Sequence, residues 1–167
     1  MLYEANAAIF ARLELNSHAS WIFLPAALRI IFPLVFGSAG VVGLILGGYY
    51  VLPPAEGMGV INNIVFALLS GLTPLVGIKI VRSVFHVRSD LANLTPTHII
   101  MLALACALSN AIILSAYMFL IGAVSDPLRQ ISVILIGDFL GMAIIVFLVS
   151  LTLEFALRFT RRPQDEL

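Results

Sequence analysis

The chain has 167 residues, of which 61% are hydrophobic and only 11% are charged, and its mean hydropathy is +1.09. These values lie outside the range of water-soluble domains and predict an integral membrane protein whose main partner is the lipid bilayer. Nine basic and nine acidic residues cancel, and without a stripe rich in lysine and arginine the chain has no electrostatic basis for binding nucleic acid.

The chain begins with residues 1–20, a segment in which a few charges lie among apolar residues. This mixture lacks the basic region, the short apolar core and the small-residue cleavage site of a signal peptide. Residues 2–15 favour either a helix on the membrane surface, with Arg12 away from its apolar side, or a frayed tail. The transmembrane bundle is predicted to follow over residues 21–157, and residues 158–167 are predicted to form a cytoplasmic tail.

Four apolar runs follow, at residues 21–52, 62–85, 98–123 and 131–157. The last three each fit one membrane helix, because about 20 apolar residues cross a hydrocarbon core of about 30 Å. The first run is too long for one straight span, and Pro33 and Gly37 interrupt it. We therefore predict an all-α, polytopic bundle of five transmembrane helices, in which residues 21–36 and 38–52 form a short hairpin. A single kinked helix in place of the hairpin would give four spans.

The cations predict which side of the membrane each loop faces. Most of them lie in two regions, the end of the run 62–85 with its following loop and the C-terminal tail, as Lys79, Arg82, Arg88, Arg158, Arg161 and Arg162. Because cytoplasmic loops are enriched in lysine and arginine, both regions should be cytoplasmic. The N-terminal segment then lies outside if the first run is a hairpin, and inside if it is one helix.

Arg29 and Asp138 each lie within an apolar run, where a buried charge costs about 2.5 to 3.5 kcal/mol on insertion scales. In the hairpin topology both lie about 10 to 12 Å below the outer ends of their helices, so they can pair. In the four-span topology they would lie near opposite faces and need other partners. With Asn110 they are predicted to form an intramembrane polar site or ion pair. The alternatives are a pair that only fixes helix register, and Arg29 snorkelling away from Asp138.

Uncharged polar residues could extend that site. In the run 62–85 they are Asn62, Asn63, Ser70 and Thr73, and in the run 98–123 they are Ser109, Asn110 and Ser115. Such groups either complete a pocket or form hydrogen bonds between membrane helices.

Two glycine pairs are spaced to bring helices close together. Gly43 and Gly47 lie in the first run, and Gly137 and Gly141 flank Asp138 in the last. Residues four apart lie on one helix face, and the absence of a side chain lets another backbone approach. All four glycines are predicted to mark contacts between helices within the chain, with a dimer face as the alternative.

The sequence lacks the residues that several kinds of chemistry require. His18 lies before the first apolar run, His86 in the loop after the second and His98 at the start of the third, so none is placed at mid-depth to ligate haem or a pigment. Cys106 is the single cysteine, which excludes an internal disulfide and a cysteine-built metal site. Paired carboxylates, a phosphate-binding loop and a nucleophile with a nearby base are missing. We expect no catalytic residue, no metal, no cofactor and no enzyme activity.

Four short stretches and one single residue resemble a known family. The stretches are LPAALR at residues 24–29, GLILGG at 43–48, GLTPLV at 71–76 and IGDFLGM at 136–142, and the single residue is Gly37. Together they resemble the MASE-type integral membrane-associated sensor domains, which precede signalling modules in bacterial histidine kinases and cyclic-dinucleotide enzymes. The last stretch looks like the family's glycine-aspartate-x-x-glycine element and is the most specific. The resemblance implies a bundle in the bacterial inner membrane that receives a signal and passes it to cytoplasmic output domains.

The chain departs from the family pattern in two respects. The family domain has more helices, and no output module follows Arg162. We therefore expect either a homo-oligomer that rebuilds a full-size bundle or an accessory subunit bound to a membrane protein partner. Only Gly137, Asp138 and Gly141 transfer as matched positions.

Two hypotheses about function follow. In the first, the chain is a non-enzymatic sensor or accessory subunit, in which Arg29 and Asp138 hold or switch the helix packing. In the second, it is a small-molecule transport component, resembling the substrate-binding membrane subunits of vitamin uptake systems, with the same residues lining a polar intramembrane pocket. Convergence of Arg29, Asn110 and Asp138 on a cavity would favour transport or ligand sensing. A compact bundle with an apolar outer groove would favour a partner subunit.

Overall fold

The computed structural model describes residues 8–9, 14–16, 19–51, 59–88, 93 and 95–161. Its helices are α1 (Ala26–Val51), α2 (Val60–Phe85), α3 (Pro96–Leu120) and α4 (Pro127–Arg161). A short antiparallel pair of strands, β1 (Glu14–Asn16) and β2 (Ala19–Ser20), precedes them. All four helices are long and apolar enough to cross a membrane, so the chain is a multi-pass helical membrane protein.

Local signals in the sequence account for the helix ends at one side of the bundle. Thr95 caps α3, because its side chain accepts a hydrogen bond from the backbone N–H of His98, and the His98 ring accepts one from the backbone N–H of Thr95. Pro96 then occupies the first turn, where no partner for its missing N–H is needed. Helix α2 ends at Phe85, because the next residue, His86, has a left-handed conformation (φ 52°) that stops the helix. We call this side, where α2 ends and α3 begins, the cationic end.

Helix α1 is interrupted at Gly37, whose φ of 57° and ψ of −132° are not helical. Glycine adopts such a positive φ without a steric penalty. Residues eight apart on a straight helix are separated by about 12 Å, yet the backbone of Gly40 lies against the backbone carbonyl of Phe32. The chain therefore bends sharply at Gly37, and the two parts of α1 meet beside the bend. We call residues 26–36 the first arm and residues 38–51 the second arm.

The prediction of five transmembrane helices is not confirmed, because the described residues contain four helices long enough to span. The break lies at Gly37, where the hairpin turn was predicted, but the first arm is shorter than predicted. It begins at Ala26 and not at Trp21. Eleven residues from 26 to 36 extend about 16 Å, which is about half of a hydrocarbon core.

Helix α2 lies between α1 and α3 and makes close backbone contacts with both. A Cβ atom at Gly71 would lie 3.1 Å from the backbone nitrogen of Ile45 on the second arm, and one at Gly77 would lie 2.6 Å from the backbone nitrogen of Cys106 on α3. Real Cβ atoms do not approach backbone this closely, so only glycine fits at Gly77 without a shift of the neighbouring helix. These two glycines bring both neighbours close to α2.

Three apolar clusters make up the core. The first, toward the end of the bundle opposite the cationic end, contains Phe66, Ala111, Leu114, Met118, Val133 and Ile134. The second joins the start of α1 to α3 and α4, and contains Ala26, Ala27, Ala103, Ala107 and Met142. The third lies near the cationic end and contains Ile78, Val81, Val87, Leu102 and Cys106. The polar residues of the next section lie at the levels between these clusters.

Both predicted terminal segments lie partly outside the described residues. The surface helix predicted over residues 2–15 does not extend through Glu14, because Glu14–Asn16 form a strand that pairs with β2. At the other terminus, α4 continues as far as Arg161, into the predicted tail. Residues 52–58 and 162–167 lie outside the described residues.

Candidate functional site

Arg29 and Asp138 form an ion pair inside the bundle. The Nη1 atom of Arg29 donates to Oδ2 of Asp138 over 2.7 Å, and the two side chains are 12% and 4% exposed. The pair therefore joins the first arm to α4, and Arg29 does not snorkel away from its partner. A buried charge is tolerated when it is paired and its remaining polar atoms are hydrogen-bonded.

Asn110 connects this pair to α2. Its Nδ2 atom donates to the same Oδ2 atom of Asp138 over 2.6 Å, while its Oδ1 atom accepts a hydrogen bond from Thr73 Oγ1 over 2.9 Å. Asn110 is only 1% exposed, so both ends of its amide are used in a protein interior. A buried amide without such partners would be strongly destabilising.

Arg29 also reaches α2 directly. Its Nη2 atom donates to Ser70 Oγ over 3.2 Å, and its guanidinium carbon lies 5.1 Å from the ring centre of Phe23. A cation near the face of an aromatic ring gains further electrostatic attraction. Five side chains from four helices are thus joined, and we call them the polar network: Arg29, Ser70, Thr73, Asn110 and Asp138.

The glycines beside Asp138 allow the chain before α1 to lie directly on α4. The backbone N–H of Phe23 donates to the carbonyl of Gly137 over 3.0 Å. A Cβ atom at Gly141 would overlap the carbonyl of Phe23. The glycine-aspartate-x-x-glycine element therefore has two physical roles. Its glycines contact the chain at Phe23, and its aspartate binds Arg29, which lies six residues after Phe23.

Gly43 and Gly47 do not make the helix contact that their spacing predicts. Both are exposed, and nothing lies within 4 Å of a Cβ atom built at either position. Within the described residues, the close helix contacts lie at Gly71 and Gly77 instead. The physical reason is the rotation of the second arm, which contacts Gly71 of α2 through Ile45; Gly43 and Gly47 each lie about 200° around the helix from Ile45 and so face away from α2.

The polar network includes all three residues that the sequence singled out. Arg29 and Asn110 both donate to Oδ2 of Asp138, and Ser70 and Thr73 complete the group. Sequence reasoning missed Phe23, whose backbone and ring both contribute. Its only signal is its position six residues before the intramembrane arginine.

Other chemical groups in the described part of the chain do not form a second centre. It contains no cluster of three or more histidine, cysteine, aspartate or glutamate residues that could hold a metal ion. Cys106 is buried, and its Sγ atom donates to the carbonyl of Pro74 over 3.4 Å. The thiol thus contributes to the contact between α2 and α3.

The fold and the site together define a multi-pass helical membrane protein with a charged network buried among its helices. The sequence model of the MASE1 family matches residues 10–166, which is nearly the whole chain. The chain therefore belongs to the MASE1 family, and it is a membrane sensor domain of the MASE type. No curated protein and no solved structure matches it.

Proposed function

We propose that the chain acts as a non-enzymatic sensor or accessory subunit of the bacterial inner membrane, in which the polar network is a switch of helix packing. The observation that carries this proposal is the ion pair between Arg29 and Asp138, which ties the first arm to α4 inside the bundle. Residues 21–157 form the membrane bundle in this proposal, and residues 158–167 face the cytoplasm.

The energetics of a buried ion pair suit a switch. Removing one partner of such a pair costs about 3 to 5 kcal/mol, because the other charge is left without compensation. A signal that competes for Arg29 or Asp138 would therefore shift the packing strongly, provided that it binds one arrangement better than the other. In the proposed switch, the first arm is either docked on α4 through the ion pair, as in this structure, or released from it.

The element that would move is the least enclosed of the four helices. Helix α1 has a smaller buried share than α2, α3 or α4, and segments with few buried contacts open at the lowest free energy. Its break at Gly37 separates the first arm from the second. In this proposal the first arm changes its position about that break, while the second arm keeps its close contact with α2 at Gly71.

Helix α4 offers a direct route out of the membrane. It continues as one helix from Asp138 to Arg161, a distance of about 35 Å at about 1.5 Å per residue. A displacement of α4 at the network would reach the cationic end, where a cytoplasmic partner or output module would receive it. A membrane protein partner or a second copy of the chain is proposed as the receiver of this movement.

A small-molecule transport component is the second candidate. It is favoured by the start of α1, since Ala26 packs with Ala107 and Met142 inside the bundle. Helices that begin near the bilayer midplane build substrate sites in many transporters. Against it, Arg29 and Asn110 both bond directly to Asp138, whereas substrate-binding groups would surround a cavity.

The test is a distance measurement across the network in the full chain. On a Cys106→Ser background, cysteines that carry spin labels replace Val35 on the first arm and Leu148 on α4. Both residues are exposed. We expect one narrow distance distribution for this parent protein in nanodiscs. Arg29→Gln should broaden the distribution or add a second distance, because the first arm loses its charged tether.

Arg129→Gln is the matched control, because Arg129 is exposed and lies outside the network. It should leave the distribution as in the parent. If Arg29→Gln also left a single, unchanged distance, the first arm would not depend on the pair, and the switch would be refuted.

A further inference from the structure

Two cations on α2 have no carboxylate partner in the described part of the chain. Lys79 and Arg82 are three residues apart, so their side chains are neighbours on one face of the helix. Lys79 is exposed and Arg82 is half-buried. Their charges therefore add together near the cationic end.

Arg82 also has an unused hydrogen-bond donor. Its Nε atom is buried and has no hydrogen-bond partner among the described residues. A buried donor without an acceptor destabilises a structure, which makes it a position where an acceptor would be gained. The Nε and Nη donors of arginine form a planar fork that matches two oxygen atoms of a phosphate group.

The depth of these two cations in the membrane indicates which kind of molecule would supply such a phosphate group. Helix α2 has 26 residues and extends about 39 Å, so each end projects about 4 to 5 Å beyond a hydrocarbon core of about 30 Å. Arg82 lies three residues before the helix end at Phe85 and is therefore at the boundary between acyl chains and headgroups. Lys79 lies one turn deeper, and its long aliphatic stem can carry its ammonium group to the same level.

We infer that Arg82 and Lys79 bind the phosphate of an anionic phospholipid in the leaflet at the cationic end. On binding, the Arg82 side chain turns its guanidinium toward the lipid, so that Nε and Nη donate to two phosphate oxygens, and Lys79 supplies the second positive charge. Ile80 and Val84 are exposed on the same part of α2 and offer an apolar surface for the acyl chains. Free phosphate has the same oxygens but lacks these chains.

The experiment measures the thermal unfolding midpoint of the full chain in nanodiscs of phosphatidylcholine, with and without phosphatidylglycerol. At a tenfold excess over its dissociation constant, the anionic lipid should raise the midpoint by about 3 to 6 °C. Arg82→Gln should abolish this rise. Arg82→Lys should retain only part of it, because an ammonium group cannot reproduce the fork.

Two matched variants separate a site from general charge attraction. Arg88→Gln removes an exposed cation at the same end, and Arg129→Gln removes one at the opposite end; both should keep the full rise. Lys79→Gln should reduce the rise and tests the site even if Arg82→Gln fails to fold. An undiminished rise in both Arg82→Gln and Lys79→Gln, or an equal loss in Arg88→Gln, would overturn the site.

Inorganic phosphate, added at millimolar concentration to nanodiscs of phosphatidylcholine alone, distinguishes the two sources of phosphate. It should leave the midpoint unchanged, because nothing holds it at the membrane boundary. A rise equal to that produced by phosphatidylglycerol would overturn the lipid as the ligand.

Discussion

Two segments of this protein have the same glycine spacing and opposite surroundings. Around Gly137 and Gly141, the chain before α1 lies directly on α4, and its backbone forms a hydrogen bond with the helix. Around Gly43 and Gly47, nothing from the described residues comes near. The comparison shows that glycines four apart permit a close approach, whereas other interactions decide whether it occurs. At α4 those interactions are the charge pair and the hydrogen bonds of the polar network.

The largest expected effect comes from removing the charge that only the α4 segment carries. Asp138→Ala leaves Arg29 buried without its partner, and we expect it to lower the free energy of unfolding by about 3 to 5 kcal/mol. Thermal or denaturant unfolding in detergent would measure this loss. Arg29→Ala should also destabilise, and the double variant should lose less than the sum of the two, since both remove one interaction. Strict additivity would show that the two residues act independently.

The second prediction exchanges the glycines themselves. Gly141→Ala places a methyl group onto the carbonyl of Phe23, and such overpacking costs about 1 to 3 kcal/mol. Gly47→Ala is the matched control in the exposed segment and should leave the unfolding midpoint unchanged or slightly raised, because alanine is the better helix former. Equal losses in the two variants would contradict the contrast between the segments and would indicate a partner on the face of Gly47.

The smallest expected effect compares two threonines. Thr73→Val removes the hydroxyl that donates to Asn110, and the average hydrogen bond between membrane helices is worth about 0.6 kcal/mol. Thr152→Val is the control, since Thr152 is exposed and bonds only to its own helix. Unfolding of both variants in one detergent would show a loss for Thr73→Val alone. A loss as large in Thr152→Val would mean that the measured effect does not come from the network.

Particular residues show which features of the structure could be predicted from the sequence. The membrane class and three of the four spans follow from apolar runs, because a hydrocarbon core imposes a minimum length on any helix that crosses it. The pairing of Arg29 with Asp138 was predicted only for the hairpin topology, yet it forms although the described residues contain four helices long enough to span. Gly37 was identified as a break, but the sequence left open whether the chain reverses or bends there, and the first arm is too short for a full span.

The sequence by itself thus determined the environment, the family and the residues that carry charge into the membrane. Composition, run length and short motifs are local properties of the chain. The lipid bilayer requires each spanning segment to be long and apolar enough by itself. Only the tertiary structure decided that Ser70 and Thr73 complete the network, that Gly141 is covered and that Gly47 is exposed. Those outcomes depend on how helices are rotated and bent against one another. In the second arm, the contact of Ile45 with Gly71 places Gly43 and Gly47 on the side away from α2.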